Sequence, residues 1–232
     1  MAAFLFSTYH VPNFASQKII PAVTHQFSED QWLQWVDELS DQQYVVIDNF
    51  LSEDVYARIQ SFFQEKLRQD QFDKAAIGAQ QNNQVNTAIR GDFTYWLNKE
   101  RDVELKSFWE LLDALVYVMN RYCYLSLSDY EFHLAHYPAG TFYKRHLDQF
   151  VGRNNRMISV VIYLNEQWKE GDGGELQVYL DSGDVKVQPE ARRCVLFKSA
   201  DVEHEVLETT VGRNSLTGWL LYKPAGLDVL VG

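Results

Sequence analysis

The hydrophobic period of this chain changes partway along, and that change limits the folds open to it. Up to about residue 122 apolar residues recur every three to four positions. From Tyr130 onward they form short alternating or β-branched runs: FHLAHY (132–137), MISVVIYL (157–164), ELQVYL (175–180), RCVLF (193–197), HEVLE (204–208) and SLTGWLLY (215–222). Gly, Asp, Asn and Pro punctuate the intervals. A helix buries one stripe at a period of 3.6 and a strand one face at a period of 2. The first part therefore reads as helical and the second as many short strands, an α+β, mainly β chain of the sandwich or jelly-roll kind.

Local signals place the helices. Ser28-Glu29-Asp30-Gln31 has capping-box spacing ahead of Trp32, Trp35, Val36 and Leu39. YVVI (44–47) reads as a strand, and Ser52 as the N-cap of a helix carrying Val55, Ile59, Phe62, Phe63 and Leu67 on one face. A third helix is expected through Phe108, Trp109, Leu111, Leu112, Leu115, Val116 and Met119. The Gln/Asn-rich part of the segment 77–97 has no apolar period and reads as a loop leading into a strand. At 232 residues the expectation is one domain, with helical support over about 28–122 and a β core over about 130–223.

Charge narrows the function classes. There are 21 basic and 32 acidic residues, a net charge of -11, with no basic cluster beyond pairs such as Arg192-Arg193. That balance argues against a nucleic-acid surface. Cys123 and Cys194 lack CxxC spacing and make a poor secretory framework, so a reducing cytoplasm is expected. The opening MAAFLFSTYHVPNF has no basic flank and its apolar run is broken by Ser7, His10 and Pro12, unlike a signal peptide; no stretch reaches membrane-spanning length. Residues 1–27 and 225–232 carry no readable motif, and nothing indicates an oligomeric state.

The residues most suggestive of chemistry are His146 and Asp148 in FYKRHLDQF. Side chains at i and i+2 of an extended segment share a side, so one strand end can offer an imidazole and a carboxylate to one ion. His204, in VEHEVL, completes a two-His, one-carboxylate set of the kind that holds non-haem Fe(II). An HxD pair alone is commonplace, and structural histidines are the ordinary alternative. Arg213 follows His204 by nine residues, room for a strand, a turn at Val211-Gly212 and a return strand that brings its guanidinium to the same place. That planar fork suits a carboxylate. A β-sandwich module binding Zn without redox chemistry stays open on these residues, since Zn also accepts such ligands with an open fourth position.

Six ordered motifs go further: IRGD (89–92) with Trp96 after it, YPAG (137–140), YKRHLD (143–148), YLNEQW (163–168), GGEL (173–176), and HEV (204–206) with Arg213, Thr217 and Trp219. Over about residues 44–223 the chain resembles the 2-oxoglutarate- and Fe(II)-dependent dioxygenases of the prolyl 4-hydroxylase superfamily, in particular the prolyl hydroxylase domain type of oxygen-sensing enzymes and their bacterial relatives. The resemblance implies a double-stranded β-helix, or jelly roll, supported by N-terminal helices. It implies His146, Asp148 and His204 as iron ligands, with no catalytic residue beyond the metal centre. Arg213 would clamp the distal carboxylate of 2-oxoglutarate, with Tyr163 sharing it, Tyr137 lining the co-substrate pocket, and Thr217 and Trp219 pointing inward beside it. Arg90, Asp92 and Arg156 resemble the charged group that ties a substrate loop to the core, and Tyr143 adds to the aromatic wall. The YPAG loop is one residue shorter before His146 than in the oxygen-sensing enzymes, and the loop around Ala75–Thr87 differs from theirs.

The activity implied is hydroxylation by Fe(II), O2 and 2-oxoglutarate, releasing succinate and CO2, with ascorbate as a candidate reductant. The implied substrate is a prolyl residue on an exposed loop of a cytoplasmic protein, by analogy with bacterial relatives a translation factor or ribosomal protein. The alternative is a free amino acid or another small molecule.

Overall fold

The structure is a computed structural model that describes residues 26–75, 88–149 and 155–222. The polar stretch 76–87, like the termini, lies outside these. In chain order the elements are α1 (Glu29–Gln42), β1 (Tyr44–Ile47), α2 (Glu53–Arg68), β2 (Asp73–Lys74), β3 (Phe93–Trp96), a 3-10 turn (Val103–Leu105), α3 (Lys106–Cys123), β4 (Asp129–Tyr137), β5 (Tyr143–His146), β6 (Arg156–Tyr163), β7 (Leu176–Tyr179), β8 (Val185–Val187), β9 (Cys194–Lys198), β10 (Glu203–Val206) and β11 (Arg213–Leu221).

The first helices start where their caps lie. Ser28 Oγ accepts from Gln31 N at 3.2 Å while Gln31 Oε1 accepts from Ser28 N at 2.9 Å, satisfying two N–H groups that a helix end leaves orphaned. Ser52 Oγ accepts from Val55 N at 3.3 Å and opens α2. Trp32, Val36 and Leu39 of α1, Ile59, Phe62 and Phe63 of α2, and Leu111, Leu112, Leu115 and Met119 of α3 turn into one core.

The strands form two antiparallel sheets, a seven-stranded one in the order β1-β9-β6-β11-β4-β3-β2 and a four-stranded one in the order β5-β10-β7-β8. Together with the helices they make the helix-supported jelly roll that the motifs imply. The expected partition at residue 130 is not a spatial one, because β1 closes one edge of the large sheet on β9 while β2 and β3 extend the other edge beyond β4.

The centre of the large sheet is buried on both faces, which explains the continuous apolar runs of β6 and β9. In β6, Ile158, Val160 and Ile162 face the helices, whereas Val161 and Tyr163 join Ala135, Tyr137, Val195, Phe197, Leu176 and Val178 between the sheets. A strand covered on both sides needs no polar alternation. Polar groups that do occur on the inner face therefore need a reason, and they cluster at one site.

One expectation from spacing is corrected. β10 and β11 are not hairpin neighbours: β10 lies in the small sheet between β5 and β7, while β11 lies in the large sheet between β6 and β4. Chain spacing cannot distinguish a hairpin from a crossing between sheets, and burial of both inner faces favours the crossing.

Candidate active site

The inner face of the large sheet can be read row by row from its register. Arg213 stands opposite Tyr137; Ser215 between Tyr163 and Ala135; Thr217 between Val161 and His133, which itself faces Trp96; and Trp219 between Ser159 and Glu131. Alternation along β11 thus aims Arg213, Ser215, Thr217 and Trp219 into the space between the sheets. The small sheet supplies the facing side with β5 and β10, on which His146 and His204 are direct partners.

A bulge sets up this pairing. His204 opposes His146 but Val206 opposes Tyr143, so β5 spends one residue more than β10 over the same length. Bulges re-aim side chains. This one lets Tyr143 and His146, three apart, stack ring on ring with centroids 3.7 Å apart. Asp148 follows just beyond the end of β5. Its carboxylate meets His146 Nε2 through Oδ1 and His204 Nε2 through Oδ2, each at 3.6 Å, and one donor atom from each residue falls within 4.8 Å of the others. Those separations are too long for direct hydrogen bonds. They suit three donors turned toward a common ion.

The protonation of the set fits a metal. His146 Nδ1 lies 2.7 Å from Lys144 O and His204 Nδ1 lies 3.2 Å from Val202 O. A carbonyl only accepts, so each Nδ1 carries the hydrogen and each Nε2 is left to coordinate. Burial pushes the His204 imidazole down to about 4. For Asp148 burial opposes the charge, but His204, His146 and the Ser159 hydroxyl outweigh it and hold the carboxyl well below the usual range. Ser159 Oγ donates to Asp148 Oδ2 at 2.6 Å and lies 2.8 Å from Ser199 Oγ. Neither serine was a candidate from sequence, because each shares the site only once β6 and the turn after β9 are brought under Asp148.

Arg213 is 2% exposed. Its Nε donates to Gly174 O at 2.8 Å and Nη1 to Ser215 Oγ at 3.2 Å, while Cζ lies 4.8 Å from the Tyr137 ring and 5.2 Å from the Tyr163 ring. A buried cation without a carboxylate beside it is costly. Tyr163 Oη is also buried, with no well-directed hydrogen bond among the described residues. Burial pushes this phenol up to about 12 against the opposing pull of Arg213, and burial likewise raises Tyr137. Two protonated phenols and a guanidinium are what an incoming carboxylate needs, so the residues fit the distal end of an oxo-dicarboxylate. Thr217 Oγ1 lies 3.2 Å from Ser215 Oγ, on the same face between Arg213 and Trp219.

The remaining candidates form two groups, where the sequence suggested one. Arg90 donates from Nε to Asp92 Oδ1 at 2.7 Å and from Nη2 to Asp92 Oδ2 at 2.5 Å, and its Cζ lies 4.4 Å over the Tyr143 ring. This fork therefore braces Tyr143, and through it the ring of His146. Arg156 turns elsewhere: Nε and Nη2 donate to Glu131 Oε1 at 2.9 and 2.7 Å, Nη1 donates to Asp148 O at 3.3 Å, and Cζ lies 3.5 Å over the Trp219 ring. It sits on β6, one strand from Trp219, whereas Arg90 reaches the site from the far side of β4.

A missed residue lies between them. His133 is buried, its Nδ1 has no hydrogen-bond partner among the described residues, and its ring centroid is 4.8 Å from Trp96 and 5.6 Å from Trp219. Burial, followed by the nearby Arg90, pushes this imidazole down to about 3. In sequence it was one of two histidines in a strand, with no signal separating them.

Comparison with known proteins agrees with this geometry. The model of the 2OG-Fe(II) oxygenase superfamily matches residues 132–221, which hold all three proposed ligands and Arg213. A crystal structure of a prolyl-4-hydroxylase from Pseudomonas putida is similar at 33% identity, covering 83% of this chain and 100% of that one with a TM-score of 0.76. A prolyl hydroxylase from Trichoplax adhaerens, solved with a hypoxia inducible factor oxygen degradation domain peptide fragment, matches at 26% identity over 86% of this chain and 93% of that one, TM-score 0.77. A viral collagen prolyl hydroxylase from Paramecium Bursaria Chlorella virus-1, in its 2OG complex, shares the fold at 15% identity, covering 79% and 98% of the two chains with a TM-score of 0.57. Identity of 33% in an alignment that covers the whole Pseudomonas enzyme, and a family match over the strands that build the site, make this chain a member of the 2-oxoglutarate- and Fe(II)-dependent dioxygenases, of the prolyl hydroxylase type.

Proposed function

We propose that this dioxygenase hydroxylates a prolyl residue carried on an exposed loop of another protein. The observation that carries the proposal is the open aromatic end of the inter-sheet space. Trp96 is 49% exposed, yet its ring lies against buried His133 and 6.2 Å from buried Trp219. An indole left half in water beside the site has apolar surface to offer a bulky partner. Leu147, between His146 and Asp148 in the chain, is exposed as well. A free amino acid small enough to be enclosed would have no use for either. The similarity to prolyl hydroxylases, one of them solved with a peptide fragment, supports the same reading.

In this mechanism His146, Asp148 and His204 would hold Fe(II), which would take 2-oxoglutarate and O2 as its further partners. When bound, the iron would let O2 serve as the oxidant: oxidative decarboxylation of 2-oxoglutarate to succinate and CO2 supplies two electrons and takes one oxygen atom, and the substrate C–H bond supplies the other two and becomes C–OH. The protein contributes position and a dry setting. Lys144 O and Val202 O keep the proton on each Nδ1, so both Nε2 atoms stay available. Ser159 fixes the Asp148 carboxylate through Oδ2. Arg213 and Tyr163 receive the distal carboxylate, with Tyr137 and Thr217 beside it. Val161, Ala135, Val195 and Phe197 keep water from the interior. At the other end Trp219, gripped by Arg156, and Trp96 would border the target proline. The same proposal includes a cytoplasmic setting, ascorbate as the reductant that returns the iron to Fe(II), and a translation factor or ribosomal protein as target.

The test is mass spectrometry of a cell lysate incubated with enzyme, Fe(II) and 2-oxoglutarate. The expected result is one added oxygen on a proline of a specific protein, absent when Asp148→Ala replaces the parent. Oxygen gained only by free metabolites would move the function to the small-molecule alternative.

A further inference from the structure

We infer that Gly174 is a positioning residue for the co-substrate, acting through Arg213; the inference rests on the reading that Arg213 holds the distal carboxylate of 2-oxoglutarate. Among the described residues no carboxylate forms an ion pair with the guanidinium. What orients it is a backbone carbonyl, Gly174 O, which accepts from Nε at 2.8 Å, with Ser215 Oγ steadying Nη1 from the other side. With both of these engaged, the outer edge of the fork is left toward Tyr163 and Tyr137 for a ligand.

Two separate facts require glycine at 174. Its φ is +76°, in the left-handed region that a side chain disfavours. A Cβ there would also lie 2.9 Å from Arg213 Cδ and 3.1 Å from Thr209 Cβ, so the arginine stem rests directly on the glycine. Neighbouring loops hold that carbonyl in place. Gly174 N donates to Glu208 O at 3.2 Å, Thr210 N to Asp172 O at 2.7 Å, and Trp168 Nε1 to Gly173 O at 2.8 Å. Thr209 N in turn donates to Thr141 O at 3.0 Å, so the turn after β4 joins the connections before β7 and β11 in a single buttress. The arrangement serves the clamp in particular. Nothing in it touches His146, Asp148 or His204.

The experiment measures binding to the full-length, Fe(II)-loaded protein under anaerobic conditions by calorimetry, with two probes: 2-oxoglutarate, and 2-oxobutyrate, which has the same keto-acid end and no distal carboxylate. Gly174→Ala is expected to weaken 2-oxoglutarate about tenfold while leaving 2-oxobutyrate and Fe(II) affinity within about twofold, because a shifted clamp is felt only by a ligand that reaches it. In turnover the same variant raises KM for 2-oxoglutarate with kcat at saturation retained. Unchanged 2-oxoglutarate binding, or equal loss for the two acids, overturns the inference. Should Gly174→Ala fail to fold, Trp168→Phe removes only the hydrogen bond to Gly173 O; a selective loss of about threefold for 2-oxoglutarate is expected, and none overturns the inference. Arg213→Ala separates the two levels. If it binds 2-oxoglutarate as the parent does, the clamp reading falls and the inference with it; if it loses binding while both buttress variants keep it, only the inference falls.

Discussion

The two ends of the inter-sheet space are built in opposite ways. At the Arg213 end the cation is buried, its Nε is fixed by a main-chain carbonyl, and the phenols of Tyr137 and Tyr163 enclose it. At the Trp219 end planar groups from four different strands lie side by side: Trp96 on β3, His133 on β4, Trp219 on β11 and Arg156 on β6. Among the described residues His133 Nδ1 and Trp219 Nε1 have no hydrogen-bond partner there, and Trp96 reaches solvent. Under the proposed function the first end would receive one small dianion of fixed length. The second offers stacking surface and unspent hydrogen-bonding groups, which suit a larger and more variable partner. The proposed metal ligands His146, Asp148 and His204 would serve both.

Removing the shared centre is the most drastic way to break the contrast. Asp148→Ala takes away the only carboxylate of the triad and leaves Ser159 Oγ without its acceptor. Consumption of 2-oxoglutarate is expected to fall more than about a thousandfold, with Fe(II) binding lost in the same samples. Retention of turnover would remove these three residues as ligands. Arg213→Ala acts on the closed end alone. Losing a buried, hydrogen-bonded partner of a carboxylate costs about 3 kcal/mol, so KM for 2-oxoglutarate should rise roughly a hundredfold. Fe(II) affinity should stay the same. An equal fall in both would mean that the two ends are not separable.

Legibility in the sequence followed the range of the interaction. The caps at Ser28 and Ser52 and the helical periods are local, and each reads directly from neighbours in the chain. MISVVIYL read as a strand from its β-branched run, and its cover on both sides came only with the fold. The triad and Arg213 were legible through their motifs, since ligand chemistry restricts residue type. Pairing across sheets was not. The bulge in β5, the short β2 and β8, and the placing of β10 and β11 in different sheets depend on which strands meet, and single-strand patterns carry no such information. Ser159, Ser199 and His133 stayed hidden for the same reason, and Gly174 stood in the GGEL motif with no role assigned to it. Arg156 was grouped with Arg90 and Asp92 on resemblance, but in space Glu131 and Trp219 hold it.

The open end can be tested with less force. Trp96→Ala removes a half-exposed indole whose loss leaves no buried cavity comparable to a core truncation. On whichever protein gains oxygen in the lysate experiment, kcat/KM should fall about tenfold, in line with an aromatic contact at an interface. KM for 2-oxoglutarate should not move, and the melting temperature should stay within about 2 °C. A rise in the 2-oxoglutarate KM would show that the aromatic wall serves the co-substrate as well.

The smallest effect concerns His133 and has two signs. Its Nδ1 is buried and unpartnered, and a group in that state costs stability relative to an apolar residue of similar size. His133→Leu should therefore raise stability by about 1 kcal/mol, read as a melting temperature roughly 2–4 °C higher for a chain of this size. Leucine keeps the packing between Trp96 and Trp219 but can neither donate nor accept, so hydroxylation of the protein target should fall severalfold while 2-oxoglutarate affinity holds. A functional group retained against stability is the pattern expected of a substrate-facing residue. If His133→Leu gains stability and loses no activity, the unsatisfied nitrogen has no bearing on substrate. If it loses stability instead, His133 is a structural member of the stack, and the open end is more like the closed one than its exposed indole suggests.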